Sequence, residues 1–212
     1  DLIEQKGGAA LNNCAFVSTD ELSTSFTAPF IFAMDMLMLG VGVGFDTLGE
    51  NTVTLKEPKY TEEVLTVEDT RESWIKLIEI ILGSYVGETL SPKNIDYSKI
   101  RKSGEAIKTF GGVSSGFEPL KQLVESIKNV LNDKFPYKIK SSHIVDIFNC
   151  IGKCVISGNV RRSALLALGT KDDEEFSKLK QDKEKLMSHR WASNNSISCV
   201  VGLDYNKFVK DT

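Results

Sequence analysis

An α/β fold is predicted by three features of the sequence. Strand-length runs of β-branched, aromatic and small residues recur at 9–18, 52–55, 164–168 and 197–202. Segments with a helical apolar repeat stand between them, and glycine-rich junctions separate the two kinds of element. Interleaved strands and helices of this sort pack as helices against a sheet.

The elements follow in order. Ala9 to Ser18 reads as a strand carrying Cys14, closed by turn chemistry at Ser18, Thr19 and Asp20. Pro29 to Leu39 is apolar on nearly all sides and reads as a buried helix, ended by Gly40-Val-Gly-Val-Gly44, whose glycines suit a tight loop. Thr52–Leu55 is a short strand, and Glu57 to Thr70 is polar and turn-rich, a place where an insertion can begin. Trp74, Leu77, Ile78, Ile81 and Leu82 lie on one helical face. The same spacing returns at Leu120, Leu123, Val124, Ile127 and Leu131, behind a Pro119 suited to a first helical turn. A third helix, capped by Ser141 and Ser142, runs to about Ser157. The glycine- and serine-rich stretch 97–116 is expected to be irregular. After the break at Gly158, Ala164–Leu168 is a strand, Lys171 to Lys185 a solvated helix of mixed charge, and Ile197 to Gly202 a last strand.

Composition narrows the possibilities. The 212 residues carry 41% hydrophobic and 26% charged residues and a net charge of -3, an ordinary globular balance with no basic stripe for a nucleic-acid polymer. The longest apolar run is about half of the roughly 20 residues a membrane span needs and contains Asp35, so no span is expected. Four cysteines at irregular spacing do not make a disulfide scaffold, which points to a reducing, cytoplasmic setting. With no initiator methionine and no signal pattern, the chain is expected to begin inside a longer one.

Several residues invite a chemical reading beside a structural one. Cys14, next to Asn12 and Asn13, is either a small core residue or a reactive thiol. Cys150 and Cys154 share a helix face, but with only His143 and His189 as further soft ligands no four-ligand metal site is expected, and they read as core. The Gly40–Gly44 run lacks the strand-before-helix setting of a dinucleotide loop. Arg161 and Arg162, beside Asn159, either hold a polyphosphate or lie exposed in solvent. The segment His189-Arg-Trp-Ala-Ser-Asn-Asn-Ser196 combines a cation, a large aromatic and several hydrogen-bonding side chains, a mixture suited to reading a nucleobase.

Four stretches together carry a resemblance: Gly7 to Thr19, Leu37 to Thr47, Ser157 to Ala164 and Ser188 to Ser196. In this order they resemble the monomeric adenosylcobalamin-dependent (class II) ribonucleoside-triphosphate reductases, over essentially the whole chain. The resemblance implies part of a ten-stranded α/β barrel with an inserted, mainly helical effector-binding segment. It divides the chain into first barrel strands at 1–56, an inserted segment and following helix at 57–157, and effector loop, specificity loop and next barrel strand at 158–212. It further implies reduction of ribonucleoside triphosphates by thiyl-radical chemistry initiated from adenosylcobalamin, deoxynucleoside triphosphate effectors, thioredoxin as reductant, and a monomeric enzyme.

By the same resemblance Cys14 is one member of a redox-active cysteine pair, and Asn13, Gly42 and Gly44 line the substrate pocket. Asn159, Arg161, Arg162 and Ser163 form the effector-phosphate loop. His189, Arg190, Trp191, Ala192, Ser193, Asn194, Asn195 and Ser196 form the specificity loop. No proline of the chain precedes a cysteine, so the family's Asn-Pro-Cys-x-Glu finger loop is absent from these residues, and they are expected to be inactive alone. Cobalamin is expected to be bound mainly by other parts of the enzyme. The competing expectation is a truncated or split module that binds nucleotides without catalysis.

Overall fold

The computed structural model describes residues 12–106, 113–157, 164–199, 201, 202 and 206. Four parallel strands form its main sheet: β1 (Cys14–Val17), β2 (Gly42–Asp46), β7 (Leu165–Thr170) and β8 (Ser193–Ser198), in the order β1-β2-β7-β8. Between β2 and β7 come β3 (Thr54–Leu55), β4 (Tyr60–Thr66), α2 (Arg71–Ser84), β5 (Ser91–Asp96), α3 (Glu118–Leu131), β6 (Tyr137–Lys138) and α4 (Ser141–Ile156). Two small sheets lie there, an antiparallel β3–β6 pair and a parallel β4–β5 pair. The mixed α/β class expected from the sequence is therefore the observed one.

The first crossover, from β1 to its parallel neighbour β2, is made by α1 (Ala28–Met38). Proline in the first turn suits this helix, and Gly40 at a φ of 86° gives the left-handed residue that ends it. Phe30, Ala33, Met34 and Leu37 are buried whereas Phe32 is exposed, so one stripe of α1 faces the core and the other meets solvent. The helix α4 is the central element. Twelve of its sixteen residues are buried, and it packs against α1, α3 and the sheet. Phe148 of α4 stacks on Phe45 of β2 at 3.8 Å between ring centroids and also meets Phe30 of α1 at 4.9 Å, which joins three elements in one aromatic cluster. The helix α2 is capped by the Thr70 hydroxyl, which accepts from the Ser73 N–H at 3.2 Å. The apolar faces expected for α2 and α3 are the buried ones.

Five expectations need correction. The Gly42–Gly44 stretch is strand β2 rather than loop, because both glycines pair with β1 and Gly44 also with β7, and of this run only Gly40 has a left-handed φ. The polar segment 57–70 contains β4, whose partner β5 also went unread; neither alternates cleanly, since the pair lies on the surface. Ser141 and Ser142 do not cap α4, whose first turn is instead closed by the Lys140 N–H donating to His143 Nδ1 at 3.2 Å. The stretch 171–185 is not one helix. Asp173 and Asp182 each cap a new start, giving α5 (Glu174–Ser177), a 3-10 turn (Leu179–Gln181) and α6 (Lys183–Ser188), with Phe176 and Leu179 buried. The final strand begins four residues before the predicted Ile197. Among the described residues no helix is long and apolar enough to cross a membrane.

Candidate functional site

In a parallel sheet, paired residues point to the same side. Helices α1 and α4 cover the face that carries Val43, Phe45, Leu165 and Ala167, all buried. The opposite face carries Cys14, Phe16, Gly42, Gly44, Leu166, Asn194 and Ser196, and its Cys14, Phe16, Leu166, Asn194 and Ser196 are exposed. Register makes one continuous row across all four strands: Phe16 beside Gly44, Gly44 beside Leu166, Leu166 beside Asn194. Cys14 pairs with Gly42 one row away and has a free thiol. Three strand spacings separate Cys14's strand from that of Asn194, roughly 14 Å. The Asn13 carbonyl accepts from the Gly42 N–H at 2.9 Å, which holds Asn13 at the rim of the same face. Sequence reasoning thus placed Asn13, Cys14, Gly42 and Gly44 in one neighbourhood, and the sheet brings them there.

An aspartate that sequence reasoning passed over fixes this edge. Asp46 Oδ1 accepts from the Thr19 N–H at 2.8 Å and the Thr19 hydroxyl at 2.7 Å, and Asp46 Oδ2 accepts from Ser18 at 2.6 Å. The Thr19 hydroxyl in turn accepts from the Gly49 N–H at 2.9 Å. The exits of β1 and β2 are bound together in consequence, and the strand carrying the thiol cannot slide past the strand carrying the glycines.

Segment 189–196 is not a loop. It is a 3-10 turn (Arg190–Ala192) followed by the start of strand β8, and its side chains divide between two environments. Arg190 turns inward: its Nε and Nη2 donate to the two oxygens of Asp146 at 2.6 and 2.8 Å, and its Nη1 donates to the Leu179 carbonyl at 2.8 Å. His189 Nε2 lies 3.0 Å from Asp146 Oδ1, and Lys185 Nζ is 3.7 Å from Oδ2. Burial alone would raise the Asp146 carboxyl, but the hydrogen bonds and charges of Arg190 and His189 outweigh it and hold the group down at about 2. Lys180 donates to the carbonyls of Arg190 and Ser193, the latter at 2.6 Å. Burial, then the Arg190 charge, lower its pKa below the ordinary lysine value. Trp191, Asn194 and Ser196 point outward. An aspartate in the interior of a helix carries no sequence mark of this partnership, which is why Asp146 was missed.

A second feature lies where residues 97–106 and 113–117 meet α3. Two adjoining clefts of about 500 and 430 Å³ share Ser103 and Glu118. The larger reaches Gln122 and Ser157, and Ser157 is the last described residue before 158–163. The smaller is floored by Tyr97 stacked on Phe117 at 5.5 Å, with Lys102 at its side. Burial, then Glu125, push the Tyr97 hydroxyl up to about 12, so it remains a neutral hydrogen-bonding group. Asn159, Arg161, Arg162 and Ser163 lie outside the described residues.

Cys150 and Cys154 are buried, and desolvation pushes both thiols up to about 12, which makes them packing groups. Of the two histidines, His143 is on α4 against Tyr137 and His189 is against Asp146.

Comparisons with known proteins agree in direction. Residues 48–131 match the family described as B12-dependent ribonucleotide reductase, insertion domain. A probable adenosylcobalamin-dependent ribonucleoside-triphosphate reductase of Dictyostelium discoideum is 45% identical over 96% of this chain and 29% of its own length. An adenosylcobalamin-dependent ribonucleoside-triphosphate reductase of Euglena gracilis is 43% identical over 97% of this chain and 29% of its own. A crystal structure of a B-12 dependent (class II) ribonucleotide reductase superposes with a TM-score of 0.70 at 30% identity, over 89% of this chain and 33% of that one. The chain thus spans about a third of the length of the relatives it matches.

Proposed function

Since the chain is homologous over nearly its whole length to part of the B12-dependent, class II ribonucleotide reductases, we propose that it forms the substrate-facing sheet and the effector-binding insertion of a ribonucleoside-triphosphate reductase. The observation that carries this reading is the open sheet face, where register sets an exposed thiol, two side-chain-free glycines and the outward side chains of segment 189–196 together.

On this reading β1, β2, β7 and β8 are four strands of the ten-stranded barrel. A ribonucleoside triphosphate lies over Gly42, where the lack of a Cβ lets it approach the backbone closely, beside Gly44 with the Phe16 ring over it. Cys14 and a second thiol, to which no residue of this chain is assigned, close to a disulfide as the substrate is reduced. Two thiols give up two electrons and two protons, the 2′-hydroxyl leaves as water with one oxygen of the sugar, and a deoxynucleotide results. Thioredoxin then returns the disulfide to two thiols. Adenosylcobalamin supplies radical initiation when bound, and no residue of this chain is assigned to it. A deoxynucleoside triphosphate effector occupies the cleft beside Ser103, Gln122 and Ser157, with Arg161 and Arg162 on its phosphates. The insertion supplies the walls of that cleft, consistent with a monomer.

The test uses the intact protein that carries these residues, with each ribonucleoside triphosphate, adenosylcobalamin and a thioredoxin reducing system. Deoxynucleotide formation is expected, with Cys14→Ser losing sustained turnover and Arg161→Ala/Arg162→Ala weakening effector binding. Nucleotide binding without any reduction would move the assignment to a non-catalytic binding module.

A further inference from the structure

We propose that helix α4 positions segment 189–196, and so governs substrate selectivity, through Asp146, with Lys180 as a second clamp; the inference rests on the reductase reading above. The segment has two halves. His189 and Arg190 turn inward and are almost fully buried, Arg190 with two guanidinium nitrogens on Asp146 and a third on the Leu179 carbonyl. These side chains have no free face for a nucleotide and act as anchors. Trp191, Asn194 and Ser196 are exposed and are the groups left to meet a ligand.

The pins fall on a short stretch of backbone. Asp146 holds the start of the 3-10 turn by its side chain, and Lys180 holds the carbonyls at Arg190 and Ser193. A third contact lies one and a half helical turns along α4, where Gly152 faces Ala192: a Cβ at Gly152 would sit 3.7 Å from Ala192 Cβ and only 2.6 Å from Leu165 Cδ1. Glycine there lets the helix lie against both the turn and β7. From Ser193 to Ser198 the backbone pairs with β7 from Leu165 to Thr170. The side-chain pins therefore end at Ser193, and beyond it β8 is placed by its pairing with β7.

The same helix runs to Ile156, immediately before 158–163, where the proposed effector phosphates bind. From Asp146 to its end is about 15 Å of continuous helix. One helix thus leads to the proposed effector segment from its C-terminal end and clamps segment 189–196 near its N-terminal end, which offers a physical route between the two. Asp146, Arg190 and Lys180 are positioning residues on this account, and none of them touches substrate.

The experiment uses Asp146→Asn and Lys180→Met in the intact protein, and reads the relative reduction of each ribonucleoside triphosphate with each deoxynucleoside triphosphate effector. Lys180 is partly exposed, so its variant folds even if the buried guanidinium left by Asp146→Asn is not tolerated. The effector-induced shift in substrate preference is expected to fall by about tenfold in each folded variant, with effector affinity retained. A full effector-induced shift in both variants overturns the anchor while leaving the reductase reading in place. An unsubstituted protein that reduces no nucleotide, or shows no effector-dependent preference, overturns that reading and the inference with it.

Discussion

The ring of Phe16 lies over Gly44 on the open sheet face, so close that a methyl group on Gly44 would sit 2.9 Å from Phe16 Cδ2. One row away Gly42 has ordinary room, with its nearest neighbours at 3.7 Å. The two glycines of one strand are therefore not equivalent. Gly44 gives space to a side chain of its own sheet, and Gly42 leaves space open beside Cys14.

Alanine substitutions separate these roles. Gly44→Ala displaces the exposed Phe16 ring, which can swing, so stability changes little. Gly49→Ala meets the Thr19 carbonyl at 2.4 Å and Leu22 at 2.3 Å, and since a backbone carbonyl cannot swing aside, it is expected to cost about 1–3 kcal/mol. Urea unfolding of the two variants checks the contrast, and equal losses would contradict it.

Phe148 joins β2, α1 and α4 in the aromatic cluster and is fully buried. Phe148→Ala leaves a void at the junction of sheet and helices and is expected to destabilise by about 3–5 kcal/mol. Chemical denaturation measures it. A loss below that of a surface alanine substitution would mean that the cluster does not hold the sheet to its helices.

Acid should weaken the Asp146 anchor in a defined direction. Its carboxyl is held at about 2 in the folded chain, below the ordinary aspartate value, so the folded state binds fewer protons than the unfolded one between these values. The contribution, about 2 kcal/mol, is complete above the ordinary aspartate range and is lost as pH falls through about 2. The stability gap between the unsubstituted protein and Asp146→Asn is therefore expected to narrow from pH 6 towards pH 3. A gap that widens in acid would contradict the ion pair.

Thiol labelling distinguishes the four cysteines. Cys14 and Cys199 are exposed and should alkylate in the native state, whereas Cys150 and Cys154 are buried with thiols pushed up to about 12 and should react only on unfolding. Peptide mapping after a brief iodoacetamide pulse reads the pattern. Native modification of Cys150 would show that α4 opens.

Legibility in the sequence followed the strength of the local signal. The helices α2 and α3 were readable because their apolar spacing agrees with the faces they bury, and α1 and α4 from their apolar runs, although α1 turns Phe32 to solvent. Strand β2 was not, because glycine is a turn residue by local preference and becomes strand here only through pairing on both sides with β1 and β7. The site divided in the same way. Cys14, Asn13, Gly42 and Gly44 could be grouped from the motifs around them. The inward turn of His189 and Arg190 depends on Asp146, more than forty positions away, and a buried ion pair leaves no periodic trace.

The neighbouring strands β2 and β7 have a kinetic consequence. They lie side by side although more than half of the chain runs between Asp46 and Leu165. Their pairing must close a very long loop before it gains anything in return, and parallel pairing at such separation forms slowly. The intervening α2, α3 and α4 make contacts of shorter range, α2 with α3 and α3 with α4, and forming these first shortens the search. Packing of α3 on α4 is therefore expected to precede the return of β7 to β2.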